Sequence, residues 1–219
     1  MRWKITLRLI GFIVCFVALA QLLSALVSLY YQDGMFIAFL QSLVVTAVPG
    51  LFLLRFFGLE NQVAMNHKHA IFFVALGWLS ACLFGSLPYA FSADFSHFTD
   101  CLFESVSGFT TTGASVVNNI QTLPPSLLFW RSLTQWLGGM GIILFSLAVL
   151  PFLNLGGMQI YKNAVPGHTS DKLRPRIRDT AKFLWITYLS LTVTQIVLLL
   201  LGDIEFFKAV CHTFGTVST

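Results

Sequence analysis

Charged side chains are scarce in this sequence. Asp, Glu, Lys and Arg together make up 10% of the 219 residues, whereas hydrophobic residues make up 56%. A soluble domain usually carries about 25% charged residues. The composition therefore excludes a disordered chain and an ordinary cytosolic enzyme. It favours a membrane protein with several spans, because each spanning helix uses about 20 apolar residues.

Patterned cysteines and catalytic groupings are lacking as well. The four Cys residues are isolated and form no CxxC pair, which excludes a disulfide scaffold. Neither Ser/His, paired Asp nor His/Glu groupings fall on a shared helix face, so we predict no enzyme activity and no cofactor. No surface of interleaved basic and aromatic residues is left over, and nucleic acid is therefore not an expected partner.

Uncharged stretches define the predicted spans. Five are long enough to cross a membrane: residues 9–32, 35–54, 70–93, 132–161 and 183–202. The first follows a basic N-terminal cluster and is too long for the hydrophobic region of a signal peptide. The sequence thus predicts an all-α polytopic protein.

The distribution of charge orients these spans. With the N-terminus in the cytoplasm, 11 of the 13 basic residues lie inside: Arg2, Lys4, Arg8, Arg55, Lys68, Lys162, Lys172, Arg174, Arg176, Arg178 and Lys182. Six of the nine acidic residues then lie outside: Asp33, Asp94, Asp100, Glu104, Asp203 and Glu205. The positive-inside rule favours this orientation. The inner basic run at 172–182 is also a candidate contact for anionic lipid or a cytosolic partner.

A sixth uncharged stretch, residues 105–130, has a different composition. It contains three consecutive Thr, two Asn and two adjacent Pro, which does not suit a helix that faces lipid. The apolar residues 98–109 before the threonines are long enough for a half-membrane helix. We therefore predict a re-entrant loop, a half-helix followed by an extended return. A plain outer loop with a threonine-rich turn is the alternative.

A cation is the ligand that such a loop favours. The C-terminal end of a half-helix that enters from outside carries partial negative charge. Thr110, Thr111, Thr112 and Gly113 follow this end and would offer backbone carbonyls, which replace the hydration shell of K⁺ in selectivity filters. Glu104 has two candidate roles in the half-helix. It either concentrates cations near the pore mouth or bonds the backbone of the loop.

A weak internal repeat supports the same interpretation. A shift of 107 residues places Gly108 on Gly215, and it places Thr111 and Thr112 on Ser218 and Thr219. The apolar segment 206–214 then occupies the position of the half-helix. The repeated unit is a span, a half-helix, a filter-like strand and a second span.

Four motifs resemble the TrkH/KtrB/HKT superfamily of potassium transporters. They are FESVSGFTTTGAS at 103–115, WRSLTQWLGGMGI at 130–142, DKLRPRIRDTAK at 171–182 and HTFGTVST at 212–219. The resemblance is to the N-terminal half of the TrkH branch. It implies an extra N-terminal helix pair (1–65), a first span–pore loop–span repeat (66–162), and a cytoplasmic linker with a truncated second repeat (163–219).

The resemblance also implies a function and partners. It implies potassium uptake across the bacterial inner membrane by a homodimer with a cytosolic TrkA-type nucleotide-binding subunit. The transported K⁺ would contact carbonyls of Thr111, Thr112, Ser218 and Thr219, with Thr110, Gly113 and Val217 beside them. Four loops are needed for such a filter, so we expect this chain to be a fragment. The alternatives are a truncated non-conducting membrane protein and an ion-coupled secondary transporter of another solute.

Overall fold

The described parts of the chain are helical. A computed structural model describes residues 3–57, 67–149 and 173–219, and these ranges contain no β-strand. The helices are α1 (Trp3–Tyr31), α2 (Phe36–Phe56), α3 (His67–Gly85), α4 (Leu87–Ala90), α5 (Phe98–Phe109), α6 (Pro125–Val149), α7 (Leu173–Leu201) and α8 (Phe206–Ser218), with a 3₁₀ turn at Ile120–Thr122. The all-α prediction is confirmed.

Four helical segments are long and apolar enough to cross a membrane. They are Trp3–Tyr31, Phe36–Phe56, Ile71–Ala90 and Asp179–Leu201, and they correspond to four of the five predicted spans. The remaining predicted span, 132–161, overlaps α6, which begins earlier, at Pro125. The part of that prediction beyond Val149 lies outside the described residues.

Small residues bring α1 and α2 into close contact. A Cβ atom added to Gly11 would lie 2.9 Å from Leu53 Cβ, and one added to Gly50 would lie 2.8 Å from Cys15 Sγ. Both distances are too short for a side chain, so glycine permits the approach of the two backbones. Helices that share a membrane commonly pack through such small residues, because lipid gives no hydrophobic drive for association.

Contacts at the helix ends define two sides of the bundle. On one side, Arg8 Nη1 donates to the Phe57 carbonyl at 3.1 Å, and the rings of Trp3 and Phe72 lie 5.1 Å apart. On the other side, the end of α1 meets the start of α8, where the rings of Tyr31 and Phe207 lie 5.0 Å apart. The start of α1 therefore shares one side with the end of α2, as the alternating topology predicts.

The turn between α1 and α2 is tied to the start of α6 by Asp33. Its carboxylate accepts the Ser126 N–H at 2.9 Å and the Met35 N–H at 3.1 Å, and the Ser28 hydroxyl also donates to it. Burial acts to raise the pKa of Asp33, but these hydrogen bonds outweigh burial and hold the pKa below its usual value. An acidic side chain at a helix N-terminus is also favoured by the helix dipole.

The core lies where α1 to α6 converge. Its fully buried large side chains include Phe39, Tyr89, Leu127 and Trp130. Many large apolar side chains instead point outward, including Leu29, Ile37, Val48, Leu51, Leu198 and Leu201. An apolar exterior is what a helix bundle needs when its solvent is lipid.

The second unit attaches to the first through Trp136 on α6. Its indole N–H donates to Thr192 at 3.1 Å, its carbonyl accepts the Tyr188 hydroxyl at 3.0 Å, and its ring stacks on Phe214 at 5.2 Å. Both α7 and α8 are thus fixed against α6. The predicted domain boundaries at 65/66 and 162/163, and most of the cytoplasmic linker, lie outside the described residues.

Candidate functional site

The predicted half-helix is present with the bounds expected for it, Phe98–Phe109. Its face toward the bundle is buried and includes Glu104, Ser105 and Gly108. Ser105 donates to the Cys82 carbonyl of α3 at 2.7 Å. An added Cβ on Gly108 would lie 2.3 Å from Thr134 Oγ1 of α6. Helix α5 is therefore held between α3 and α6, with its C-terminal end at Thr110.

The three threonines turn the chain at this end. Thr110 and Thr111 close the last turn on the Val106 and Gly108 carbonyls, and the Thr112 N–H reaches the Ser107 carbonyl, all at 2.9 Å. Thr111 has φ 57° and Gly113 has φ 74°. Two left-handed residues so close together reverse the chain within a few residues, and glycine adopts this conformation without strain.

The chain then runs back alongside α5. The Ser107 hydroxyl donates to the Ala114 carbonyl at 2.6 Å. One turn earlier on the helix, a carboxylate oxygen of Glu104 accepts the Ser115 hydroxyl at 2.5 Å and the Val116 N–H at 2.8 Å. Pairing of 107 with 114, and of 104 with 115 and 116, is antiparallel. The predicted half-helix and extended return is thus confirmed as a backbone path.

Glu104 and Arg131 form a buried ion pair behind the turn. Arg131 Nε lies 3.2 Å from Glu104 Oε2, and the exposed fractions of the two side chains are 12% and 1%. Arg131 also donates from Nη2 to the Gly113 carbonyl at 2.8 Å. Two roles were considered for Glu104. Its hydrogen bond from the Val116 N–H corresponds to the second role, bonding of the loop backbone.

The turn itself faces open space. Thr110, Thr112 and Gly113 are exposed, and Thr111 is half-buried. A cavity of about 210 Å³ lies against the first two threonines, and it is lined by Trp78, Phe109, Thr110, Thr111, Gly138 and Ile142. The Thr110 hydroxyl donates to the Val106 carbonyl at 2.7 Å and lies 2.8 Å from the Thr112 hydroxyl. The side chains of this turn thus include hydroxyl oxygens on exposed residues.

Consecutive residues of α6 contact the end of α5 and the second candidate filter segment. An added Cβ on Gly138 would lie 2.1 Å from the Phe109 carbonyl oxygen, and one on Gly139 would lie 3.0 Å from Ser218 Cα. Between the segments lies the buried Gln135. Its amide is 3.9 Å from an added Cβ on Gly113 and 3.2 Å from one on Gly215. The tertiary structure thus brings the ends of α5 and α8 to one level of α6.

The second segment differs from the expectation. Helix α8 extends to Ser218, four residues beyond the predicted half-helix at 206–214, so Val217 and Ser218 are helical and Thr219 follows the helix. In the first unit, Gly113, Ala114 and Ser115 provide the bonds that turn the chain back. In the second unit helical hydrogen bonding continues instead, and the Ser218 and Thr219 hydroxyls both donate to the Gly215 carbonyl at 2.8 Å.

The chemistry available here suits a hard cation, which prefers oxygen ligands. The turn offers carbonyl and hydroxyl oxygens at the partially negative end of α5. Groups of three or more His, Cys, Asp or Glu side chains that could hold a metal ion do not occur among the residues the structure describes. Sequence reasoning missed Gln135, although an amide in an apolar helix is a signal that could have identified it.

Comparison with known proteins identifies the family. The profile of the TrkH family, described as cation transport protein, matches residues 35–219. The chain belongs to the TrkH family. Because this family consists of transport proteins, the prediction of a protein without enzyme activity is supported as well.

Several relatives align over the whole chain. It is 39% identical over 223 residues to the Trk system potassium uptake protein TrkH of Halomonas elongata, and 37% identical over 220 residues to the protein of that name from Escherichia coli K12. Both alignments cover 100% of this chain and 45% of the relative. The crystal structure of the potassium transporter TrkH from Vibrio parahaemolyticus superposes with a TM-score of 0.82 and 33% identity, covering 98% of this chain and 42% of that one. The chain thus spans less than half the length of these TrkH proteins.

Proposed function

We propose that this chain forms the first half of the membrane pore of a potassium uptake protein. The turn Thr110–Gly113 would contribute one part of a selectivity filter, with K⁺ bound by carbonyls of Thr111 and Thr112. The observation that carries the proposal is the end of α5 itself. A buried half-helix delivers its partially negative end to an exposed turn of oxygen atoms, which side chains of α5 and α6 hold from behind.

The second unit would contribute the next part of the filter through Val217, Ser218 and Thr219. Support comes from the common contact of the two units with Gly138 and Gly139 on α6. Two further filter segments would have to come from additional chain or from other copies, because a carbonyl filter surrounds its ion. The organisation into a helix pair (1–65) and two repeats (66–162 and 163–219) belongs to this proposal.

Location and assembly follow from the same proposal. The basic residues favour a cytoplasmic N-terminus in the bacterial inner membrane. Relatives of this chain are named as Trk system proteins, which supports the proposal that the protein works together with other components of such a system. We propose that the whole protein forms a homodimer. Its partners would be a cytosolic TrkA-type nucleotide-binding subunit and the surrounding lipid.

Rubidium uptake with two matched glycine variants tests the filter. Gly113 and Gly34 both have positive φ, at 74° and 78°, and an added Cβ meets nothing closer than 3.9 Å at the first and nothing within 4 Å at the second. Valine is strained at either position, by about 1–2 kcal/mol or more. Only Gly113 lies in the filter turn, whereas Gly34 lies in the distant α1–α2 turn.

The natural protein that carries these 219 residues is expressed in bacteria that lack their own potassium uptake. We expect Gly113→Val to abolish Rb⁺ uptake with normal amounts of protein in the membrane, and Gly34→Val to retain uptake. Equal uptake by both variants would refute the filter assignment. Absence of uptake in the unsubstituted protein would refute the transport function.

A further inference from the structure

The carbonyl of Gly113 is occupied by a cationic side chain. Arg131 Nη2 donates to it at 2.8 Å, although Gly113 belongs to the candidate filter turn. A potassium ion at this oxygen would share it with a guanidinium group, and the two positive charges repel each other. This carbonyl is therefore an attachment point of the turn to α6 and is unavailable as an ion ligand.

The charge of Arg131 is balanced by Glu104. The two side chains are 12% and 1% exposed, and Nε and Oε2 lie 3.2 Å apart. Removing one partner of a buried pair leaves an uncompensated charge in a poorly solvated place, which is strongly unfavourable. Without the carboxylate, the guanidinium would place a net positive charge directly behind the path of a cation.

Glu104 holds the other side of the turn with its second oxygen. Oε1 accepts the Ser115 hydroxyl and the Val116 N–H, while Oε2 faces Arg131. The ion pair therefore connects α5, α6, Gly113 and the returning segment in one network. The distance between the threonine carbonyls and the cation path depends on this network, because the network bonds the Gly113 carbonyl to a side chain of α6.

The second unit does not repeat this arrangement. The 107-residue offset places Cys211 at the position of Glu104, and a thiol cannot balance a guanidinium group. Of the two units in this chain, the first alone carries the acidic residue of the pair. The two filter segments are thus supported by different chemistry.

We propose that the Glu104–Arg131 pair sets the cation selectivity of this pore. Arg131 positions the filter turn by withdrawing the Gly113 carbonyl from the ion, and Glu104 cancels the charge that Arg131 brings to the filter. Both are positioning residues, because they act on the ion through the turn. The inference rests on the proposed potassium function and extends it to the origin of selectivity.

Neutral variants separate the two roles. In Arg131→Gln the Gly113 carbonyl is released, and we expect the preference for Rb⁺ over Na⁺ to fall about tenfold or more while cations still enter. In Glu104→Gln an unpaired guanidinium remains, and we expect total cation uptake to fall by a similar factor. The double variant removes both charges, so it should regain uptake but keep the poor selectivity.

A surface ion pair provides the matched control. Glu205 and Lys208 lie 3.2 Å apart but are 61% and 67% exposed, and exposed pairs contribute little. Glu205→Gln should leave uptake and selectivity unchanged. Arg131→Lys serves where Arg131→Gln fails to fold, because an ammonium group cannot hold both Glu104 and Gly113 in the bidentate manner of arginine. It too should lose selectivity.

Backbone hydrogen exchange of residues 110–116 provides a readout that does not depend on transport. Arg131→Gln should raise exchange there about tenfold relative to Glu205→Gln. Selectivity and exchange equal to those of the unsubstituted protein would overturn the inference while the proposed function stands. Lack of Rb⁺ uptake by the unsubstituted protein would overturn both.

Discussion

Gly138→Ala is expected to separate α6 from the end of α5. An added Cβ would lie 2.1 Å from the Phe109 carbonyl oxygen and 2.7 Å from its carbon. Ordinary contact begins at 3.4 Å, so the backbones must move apart by about 1.3 Å to restore it. The obstacle is main chain on a buried helix and cannot rotate away. Phe109 is the last residue before the filter turn, which would move with it.

The size of the effect follows from two opposing contributions. Overpacking of a buried site destabilises by about 1–3 kcal/mol, whereas alanine in a helix is favoured over glycine by about 1 kcal/mol. Gly141 lies on the same helix, and an added Cβ there would meet the Trp78 ring at an ordinary 3.4 Å. Gly141→Ala should therefore gain up to about 1 kcal/mol. The helix preference for alanine is the same at both positions, so the two variants should differ by the cost of overpacking alone, about 1–3 kcal/mol.

Thermal unfolding in detergent measures this difference. The 219 residues contain five Trp, whose fluorescence reports loss of packing. For a chain of this size, a difference of about 1–3 kcal/mol corresponds to a difference in Tm of about 2–12 °C between the variants. A Tm of Gly138→Ala equal to or above that of Gly141→Ala would refute the close contact between α6 and Phe109.

Three further variants test individual bonds by the same measurement. Because the folded-state pKa of Asp33 is lowered, its carboxylate stabilises the fold above the unfolded pKa of about 3.9 and loses that effect as pH falls below it. The Tm of the unsubstituted protein should drop between about pH 5 and 3 more than that of Asp33→Asn, and parallel curves would contradict this. Trp130→Phe leaves the buried Gly85 carbonyl without its 3.1 Å donor and should destabilise by about 1–3 kcal/mol, whereas no loss of Tm would exclude that bond. Tyr188→Phe removes the 3.0 Å hydrogen bond from the Tyr188 hydroxyl to the Trp136 carbonyl and should destabilise the protein by about 1 kcal/mol. An unchanged Tm would contradict this bond.

The local sequence pattern was sufficient to predict the class of protein and the position of the half-helix. Low charge and long apolar stretches predicted the spans. A helix in lipid must satisfy its backbone hydrogen bonds within its own segment, so the residues of that segment are enough to identify it. The bounds of α5 followed in the same way from an apolar stretch that ends at three threonines. These features depend on residues close together along the chain.

Sequence could not predict where α8 ends. The first half-helix stops where residues after Gly113 bond back to Ser107 and Glu104, whereas in the second the Ser218 and Thr219 hydroxyls bond to the Gly215 carbonyl of their own helix. A repeat offset aligns similar residues, but it does not reproduce the hydrogen bonds that terminate a helix.

The sequence alone determined that this is a polytopic helical protein of the TrkH type with an oxygen-rich turn after a half-helix. The tertiary structure decided which side chains support that turn. Arg131 is 18 residues from Gly113 and 27 from Glu104, and Asp33 is 93 from Ser126. Such pairs depend on how helices are rotated and shifted against one another, and that register is set by close contacts such as Gly138 on Phe109. No periodicity within one segment encodes it.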